Sequence, residues 1–449
     1  EEGWMKVFAT AKEWGLNHLR FHSWCPPEAA FRVADRMGVY LQVECGGWAN
    51  IGNGDYLDKW FYEEGDRILK EYGNHPSFCL MNYGNEPSGA NQEKYLSDLV
   101  AYWKQKDNRR VYTSAAGWPY VPNADYWNHA APRIQGWGEE LKSRINANPP
   151  TTDYDFWPII KKDMPTVSHE IGQWCVYPDF KEIQKYTGVL KAKNFEIFQE
   201  TLAEKHLSDL ADEFLYASGR LQTLCYKADI EAALRTPGFA GFQLLDLHDF
   251  PGQGTALVGV LNPFWESKGY VEGEEYSMFC NQTVPLARLP KMVYLNNESM
   301  KAPLEFAHFG AEPLKSASIY WKLADKKGTI LQSGSWTKDL PVTNSIWIGN
   351  MVCDLSSVQT PQELILTAGI EGTKVHNEWH IWVYPTGEKE ITNAPYMTNV
   401  FDQQAIDRLE KGENVLLCVS RGTLRPEKGG NIKVGFSSIF WNTAWTRIH

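Results

Sequence analysis

Between residue 4 and about residue 250, the sequence alternates amphipathic helical segments with short apolar runs. Trp4, Val7, Ala11 and Trp14 recur at intervals of three or four residues, which places them on one face of a helix. The apolar run that follows, at 16–22, has the length of a strand. Alternating helices and strands are typical of βα units around a parallel sheet, so the pattern predicts an α/β architecture.

Seven apolar runs are predicted to be parallel strands. They span 16–22, 39–44, 77–86, 111–116, 133–137, 166–170 and 239–246. A (β/α)8 TIM barrel needs eight strands, and because the chain opens on a helix, the absent strand is expected to be the first. We therefore expect residues upstream of Glu1 to supply it, and we expect the catalytic barrel to span 1–284.

The character of the sequence changes after about residue 285. Segments such as SASIYWKL and ELILTAGI alternate apolar with polar residues, which predicts an all-β, Ig-like sandwich over 285–385. Helix-like AIDRLEKG and strand-like NVLLCVS then predict a partial α/β module over 386–449. A chain of 449 residues is indeed too long for one core, since single cores stop growing near about 250–300 residues.

Composition excludes several classes of partner. The formal charge of −11 and the absence of Lys/Arg runs argue against nucleic acid and anionic membranes. The eight cysteines lie far apart and no His/Cys cluster occurs, so we expect no metal and no cofactor. The 19 Trp residues favour a carbohydrate partner, because flat aromatic faces stack on sugar rings. If upstream residues carry an export signal, the protein is expected to be periplasmic or secreted.

Polar residues end several of the predicted strands, where a barrel enzyme gathers its active site. They are Arg20, His22, Glu44, Asn85, Glu86, Glu170 and Asp246. Hydrolysis of a glycosidic bond needs two carboxyl groups, and Glu86 and Glu170 satisfy this requirement. Glu44 and Glu139 are rivals for the second carboxylate.

Two motifs around Glu86 carry a family resemblance. NYGNEPSG at 82–89 follows EYGNHPS at 71–77 at a short separation, and together they resemble family 2 glycoside hydrolases. That family includes β-galactosidases, β-mannosidases and β-glucuronidases. The resemblance implies that Glu86 is the general acid/base and that Asn85 binds the sugar 2-hydroxyl.

Two further segments are similar to the same family. DMPTVSHEIGQW at 163–174 is similar to a seventh strand that ends in the nucleophile, which implies this role for Glu170. GLNHLRFHSWCPPE at 15–28 implies that Arg20 holds the nucleophile ionised; alternatively, Arg20 pairs structurally with Glu44. The sequence departs from the pattern at Leu244 and Leu245, where many relatives have a Trp, and the family's first sugar-binding module is absent.

Other polar and aromatic residues after strands are candidates for sugar contact or, alternatively, for core packing. They are His22, His169, His248, Trp24, Trp48, Trp118, Trp137 and Trp174. The predicted function is that of a retaining, exo-acting β-glycosidase that releases terminal β-linked sugars from an oligosaccharide or glycoside by double displacement. Three alternatives stay open: a β-glucuronidase, for which Lys268 is the nearest candidate cation, an endo-β-glycanase with an open cleft, and a non-catalytic carbohydrate-binding protein.

Overall fold

The computed structural model describes residues 1–136, 139, 142–161, 163–250, 256–387, 393–420 and 422–428. From the first helix to the fourth strand, helices and parallel strands alternate as predicted, whereas no α-helix separates the fourth, fifth and sixth strands in the described residues. The helices are α1 (Glu2–Glu13), α2 (Glu28–Met37), α3 (Tyr56–Tyr72), α4 (Gln92–Lys106), α5 (Lys193–Glu204), α6 (Ala211–Arg235) and the short α7 (Gly273–Tyr276). The strands are β1 (His18–Arg20), β2 (Tyr40–Gly47), β3 (Phe78–Gly84), β4 (Val111–Tyr112), β5 (Trp127–His129), β6 (Thr166–Gly172) and β7 (Phe239–Leu245). The expectation of a mixed α/β structure is confirmed.

These strands form two parallel sheets in chain order. β1 to β4 make a four-stranded sheet, and β5 to β7 make a three-stranded one. Gly117, just after β4, forms a parallel bridge with His129 of β5, which joins the two sheets. Because all the strands are parallel, their carboxyl ends lie on one side of the fold.

The last strand returns to the neighbourhood of the first. The side-chain nitrogen of Gln243 in β7 lies 2.9 Å from Nε2 of His18 in β1. The same nitrogen donates to the side-chain oxygen of Gln42 in β2 at 2.8 Å. The strands therefore curve around a shared interior.

One predicted strand is wrong. The fifth strand is Trp127–His129, not 133–137. The amide of Ile134 donates to the carboxylate of Asp229 at 2.8 Å, so it takes no part in a sheet ladder. The true strand is hard to see in the sequence because its one buried residue, Asn128, is polar.

Two antiparallel sheets follow in the second part of the chain. Their strands are β8 (Thr283–Ala287), β9 (Val293–Leu295), β10 (Ser299–His308), β11 (Leu314–Asp325), β12 (Ile330–Leu340), β13 (Thr343–Asp354), β14 (Gln362–Ile370) and β15 (His376–Tyr384). The sheet orders are β13-β10-β8 and β12-β11-β14-β15-β9, with β9 parallel to β15. Alternate residues such as Leu304, Phe306, Leu364 and Leu366 form the core between the sheets.

A buried ionic cluster connects α6 with this β-sandwich. Glu231 of α6 pairs with Arg235 at 3.1 Å and with Lys227 at 2.5 Å. It also accepts hydrogen bonds from Asn377 at 2.8 Å and Trp379 at 3.1 Å, both in β15. The sandwich is thus anchored to the helix that precedes β7.

The described C-terminal residues form a small β–α–β unit. β16 (Tyr396–Thr398) and β17 (Val415–Leu417) pair in parallel and are connected by α8 (Gln403–Glu410). No described helix combines the length and apolarity needed to cross a lipid bilayer. All eight cysteines are free thiols.

Candidate active site

A cavity of about 490 Å³ opens at the carboxyl ends of the parallel strands. Its polar lining comes from residues at the ends of four strands: β1, β3, β6 and β7. These residues include Arg20, His22, Asn85, Glu86, Glu170, Asp246 and His248. Its volume lies in the ordinary range for small-molecule sites.

Glu86 is held in an unusual backbone conformation after β3. Gly84 has φ +150°, and a β-carbon there would lie 2.2 Å from the Gly47 carbonyl oxygen, so only glycine fits. Glu86 itself has φ +37°, in a region that non-glycine residues seldom adopt. Its amide donates to the Ala116 carbonyl at 3.0 Å, which ties this turn to the segment that follows β4. Strain of this kind is often found at functional sites.

Glu170 shares this feature. It lies within β6, which is buried along its whole length, and has φ +51°. Gln173 donates to its carbonyl at 3.2 Å. The backbone therefore turns the Glu170 side chain into the cavity, where it meets Glu86.

The two carboxylates converge on a shared histidine. One ligand atom each of Glu86, His169 and Glu170 lie within 4.8 Å of one another. Nε2 of His169 is 3.3 Å from Oε1 of Glu86 and 3.5 Å from Oε2 of Glu170. These three residues are also close enough to hold a metal ion, but the Arg20 guanidinium, 2.9 Å from Glu170, disfavours a cation there.

Arg20 is the centre of the network behind Glu170. It donates to Glu170 at 2.9 Å, to Asn85 at 2.8 Å and to Glu44 at 2.5 and 3.3 Å. Its Nη1 also lies 3.3 Å from Nδ1 of His169. Arg20 therefore connects Glu170, the candidate nucleophile, with Asn85, the candidate sugar-binding residue, and with a buried anchor.

Glu44, one of the rival carboxylates, is that anchor. It is completely buried and accepts hydrogen bonds from Ser23 at 2.7 Å and Asn82 at 3.2 Å, besides those from Arg20. Burial raises the pKa of Glu44, but the Arg20 charge and the hydrogen bonds from Arg20 and Ser23 together lower it below its ordinary value. Glu44 therefore positions Arg20 and is out of reach of a substrate.

The other rival, Glu139, lies elsewhere. Its carboxylate is exposed and accepts from the amide of Gly136 at 2.6 Å. It does not line the cavity.

The electrostatics of the site keep Glu170 ionised. Burial raises the pKa of Glu170, but the charges of His169 and Arg20 and the hydrogen bond from Arg20 together lower it to about 2. A carboxylate that stays ionised at neutral pH beside a cavity can act as a nucleophile.

Aromatic side chains form the rim and wall of the cavity. Trp24 and Trp48 are 44% and 65% exposed, and His22 packs near Trp48 with ring centroids 6.1 Å apart. Phe250 and Trp265 also line the cavity. Sequence reasoning missed these last two, because neither directly follows an apolar run.

Asp246 and His248 form a pair on the β7 side of the cavity. Oδ2 of Asp246 is 3.4 Å from Nδ1 of His248. Burial lowers the pKa of His248, but the charge and hydrogen bonding of Asp246 and the charge of Asp249 together raise it above its ordinary value.

Three of the predicted sugar contacts do not line the cavity. Trp174 is 1% exposed and donates to Asp229 at 2.9 Å, so it packs in the core instead. His169 is completely buried and contacts the carboxylates rather than open space. Trp118 is exposed and donates to the Pro87 carbonyl at 2.9 Å, beside Glu86 but outside the lining. Trp137 lies outside the described residues.

Lys268 also differs from expectation. Its side chain is 2% exposed, and its Nζ lies 2.7 Å from Oδ2 of Asp249. It donates to the Gly259 carbonyl at 2.7 Å. Lys268 is thus a buried structural cation and does not reach the cavity.

Comparison with protein families matches only the later parts of the chain. Residues 298–385 match a domain of unknown function, DUF8488, and residues 396–449 match another, DUF8487. Neither match includes the strands that surround the cavity.

Two known proteins are similar to this chain, one in sequence and one in fold. A β-glucuronidase of Bacteroides fragilis is 28% identical over 144 residues, which cover 29% of this chain and 20% of that protein. The crystal structure of the exo-chitosanase CsxA from Amycolatopsis orientalis aligns with a TM-score of 0.52 and 14% identity over 84% of this chain and 46% of that one. The second likeness concerns the fold alone, and the chain spans only about a fifth of the curated relative. The similarity to a glycoside hydrolase that the motifs predict is thereby found over those 144 residues, while membership of family 2 stays a prediction.

Proposed function

We propose that this protein is a retaining, exo-acting β-glycosidase. The single observation that carries the proposal is the approach of Glu86 and Glu170, since one oxygen of each carboxylate lies within 4.8 Å of the other at one cavity. Retaining glycosidases hold their two carboxyl groups about 5–5.5 Å apart, whereas inverting ones need about 6.5–9.5 Å to admit a water molecule. The short separation favours double displacement.

In the first step, Glu170 is the nucleophile. One of its oxygens forms a bond to the anomeric carbon while the bond from that carbon to the leaving oxygen breaks. Glu86, in its acid form, gives its proton to the leaving oxygen. The products of this step are the free aglycone and a glycosyl ester of Glu170.

In the second step, water replaces Glu170. Glu86, now a carboxylate, takes a proton from the water as its oxygen bonds to the anomeric carbon, and the ester bond to Glu170 breaks. Arg20 stabilises the departing Glu170 carboxylate through its 2.9 Å hydrogen bond. The sugar leaves with its original anomeric configuration, and both glutamates return to their starting forms.

The cavity favours action at chain ends. Its walls come from the strand ends and are rimmed by Trp24, Trp48 and Phe250. A cavity of about 490 Å³ has room for a terminal sugar and part of its aglycone, rather than a long glycan laid across the surface.

The finer architecture is part of the same proposal. We infer that β1 to β7 are strands two to eight of a (β/α)8 barrel, supported by the contact of Gln243 in β7 with His18 in β1. The proposed divisions are a catalytic part over 1–284, a sandwich over 285–385 and a further module from 386.

A β-glucuronidase is the second candidate. The similarity to the B. fragilis β-glucuronidase is the observation that favours it. Both candidates share the same two carboxylates and differ in the sugar that the cavity accepts.

A panel of p-nitrophenyl β- and α-glycosides tests the proposal. We expect release of p-nitrophenol from at least one β-glycoside and none from the α-anomers. Glu170→Gln should abolish turnover, whereas the matched variant Glu139→Gln should keep it, since Glu139 is exposed and outside the cavity. Full activity of Glu170→Gln contradicts the proposal.

A further inference from the structure

We infer that the cavity selects terminal sugars that carry no acidic group, and that Asp246 sets this preference. The inference rests on the proposed function and names its substrate class: neutral glycosides rather than uronides. It follows from the charged side chains that line the cavity and from the partners that already bind Arg20, the one arginine among the described lining residues.

A uronic acid brings a carboxylate that must be compensated when it leaves water. Among the described residues, Arg20 is the only Lys or Arg in the lining. A guanidinium has five N–H groups. Two contact Glu44, one Glu170, one Asn85, and the fifth faces His169, so none is left for a substrate.

The other basic residues near the cavity offer no free cation either, since burial lowers the pKa of both His18 and His22 in the lining. Lys268 is buried against Asp249, outside the cavity. Nδ1 of His248 lies 3.4 Å from Oδ2 of Asp246, so a protonated His248 and the Asp246 carboxylate together bring no net positive charge. A uronate would therefore meet no uncompensated cation in this lining.

Asp246 contributes to this absence of attraction, because its carboxylate compensates any positive charge on His248. Its side chain is 31% exposed and lines the same cavity as the ionised Glu170. A substrate carboxylate would be a further negative charge in the cavity that Glu170 lines, and like charges in a partly desolvated site repel. A sugar hydroxyl, in contrast, can donate to the Asp246 carboxylate.

Matched substrates that differ only at C6 test the inference. The β-glucoside is compared with the β-glucuronide, and the β-galactoside with the β-galacturonide, all as p-nitrophenyl glycosides. We expect kcat/KM to favour the neutral member of the preferred pair by about 100-fold or more. Asp246→Asn should reduce this ratio by about tenfold, because it removes the charge while keeping the acceptor for the Leu247 amide.

Two controls accompany the variant. Asp98→Asn removes a charge from an exposed residue far from the cavity and should leave the ratio unchanged. Inhibition of the wild-type protein by free glucose and glucuronic acid gives a second measure that does not depend on the variant folding, and glucose is expected to bind more tightly.

The outcomes separate the two proposals. Preference of the wild-type protein for a uronide, or an unchanged ratio in folded Asp246→Asn, overturns the inference alone. Absence of turnover for every glycoside overturns the proposed function and this inference with it.

Discussion

The guanidinium of Arg20 donates to the carboxylate of Glu170 at 2.9 Å while Glu44 holds it from behind at 2.5 Å. One arginine thus connects a buried structural carboxylate with a carboxylate that faces the cavity. Its charge helps to keep Glu170 ionised despite burial, which alone would raise the pKa.

Removal of the Arg20 charge should shift the pH profile. The pKa of Glu170 is about 2, so the nucleophile is ionised above that pH and activity is lost only as pH falls through it. In Arg20→Met the pKa of Glu170 should rise, because burial is less opposed, and the acid limb of kcat/KM should move to higher pH. Arg20→Lys keeps a positive charge and should shift the limb less.

The control for this profile is Arg32→Met. Arg32 is 57% exposed and pairs with Glu28 on the surface of α2. Its loss should leave the acid limb in place. If circular dichroism shows that both proteins are folded, identical pH profiles for Arg20→Met and the wild-type protein would show that Arg20 does not control the pKa of Glu170.

Glu86→Ala should separate leaving groups by their acidity. Without the general acid, kcat/KM for an alkyl glycoside should fall by about 10²–10⁴-fold, whereas a dinitrophenyl glycoside, which needs little protonation, should still form the glycosyl ester. Added azide should then restore turnover and yield a β-glycosyl azide. An α-azide would mean that the roles assigned to the two glutamates are exchanged. Equal losses for both leaving groups would mean that Glu86 is not the general acid.

Loss of Glu231 should destabilise the protein strongly. Glu231 is 1% exposed and compensates Arg235 and Lys227, so Glu231→Ala leaves buried cations unpaired and should cost about 3–5 kcal/mol of unfolding free energy. Urea denaturation measures the change. Glu63→Ala, at an exposed site on α3, should change the same quantity by less than about 0.5 kcal/mol.

Because of Glu182, the free energy of unfolding should fall as pH rises. It is 1% exposed, and neither carboxylate oxygen has a hydrogen-bond partner among the described residues. Burial and the nearby Asp249 charge raise the pKa of Glu182 to about 8, against an ordinary value of 4.5. The folded state therefore keeps a proton that the unfolded state releases. The resulting contribution to the free energy of unfolding is full below pH 4.5 and is lost as pH rises through 8.

Thermal unfolding of Glu182→Gln checks this sign. The difference in Tm between the variant and the wild-type protein should be small at pH 5 and should grow in favour of the variant by pH 9. Glu204→Gln, at an exposed residue of the same region, should show no such trend. A constant difference across this pH range would count against the burial of an ionisable Glu182.

The sequence predicted most of what positions the site. The helices around Phe8 and Val33 follow apolar periodicity, and strands such as β2 and β3 are buried on both faces, so their patterns are strong. The lead-in motifs place Glu86 just after β3 and Glu170 within β6, and the structure brings their carboxylates together. Local patterns suffice where burial is nearly complete.

The remaining features depend on contacts between residues far apart in the chain, which a local sequence pattern does not show. β5 has a polar buried residue, Asn128, and so lacks an apolar signal. Trp174 has an apolar face and an N–H donor, and only the position of Asp229 in α6 decides that it packs inward. Lys268 likewise looks available for a substrate until Asp249 is seen beside it.

The central claim is that Glu86 and Glu170 act together by double displacement across less than 4.8 Å between their oxygens. Proton NMR of a reaction mixture, recorded before mutarotation, identifies the anomer that is released first from a β-glycoside. The β-anomer is the predicted first product. Initial release of the α-anomer would contradict the account, because it requires a water molecule between the carboxylates rather than a covalent glycosyl-enzyme.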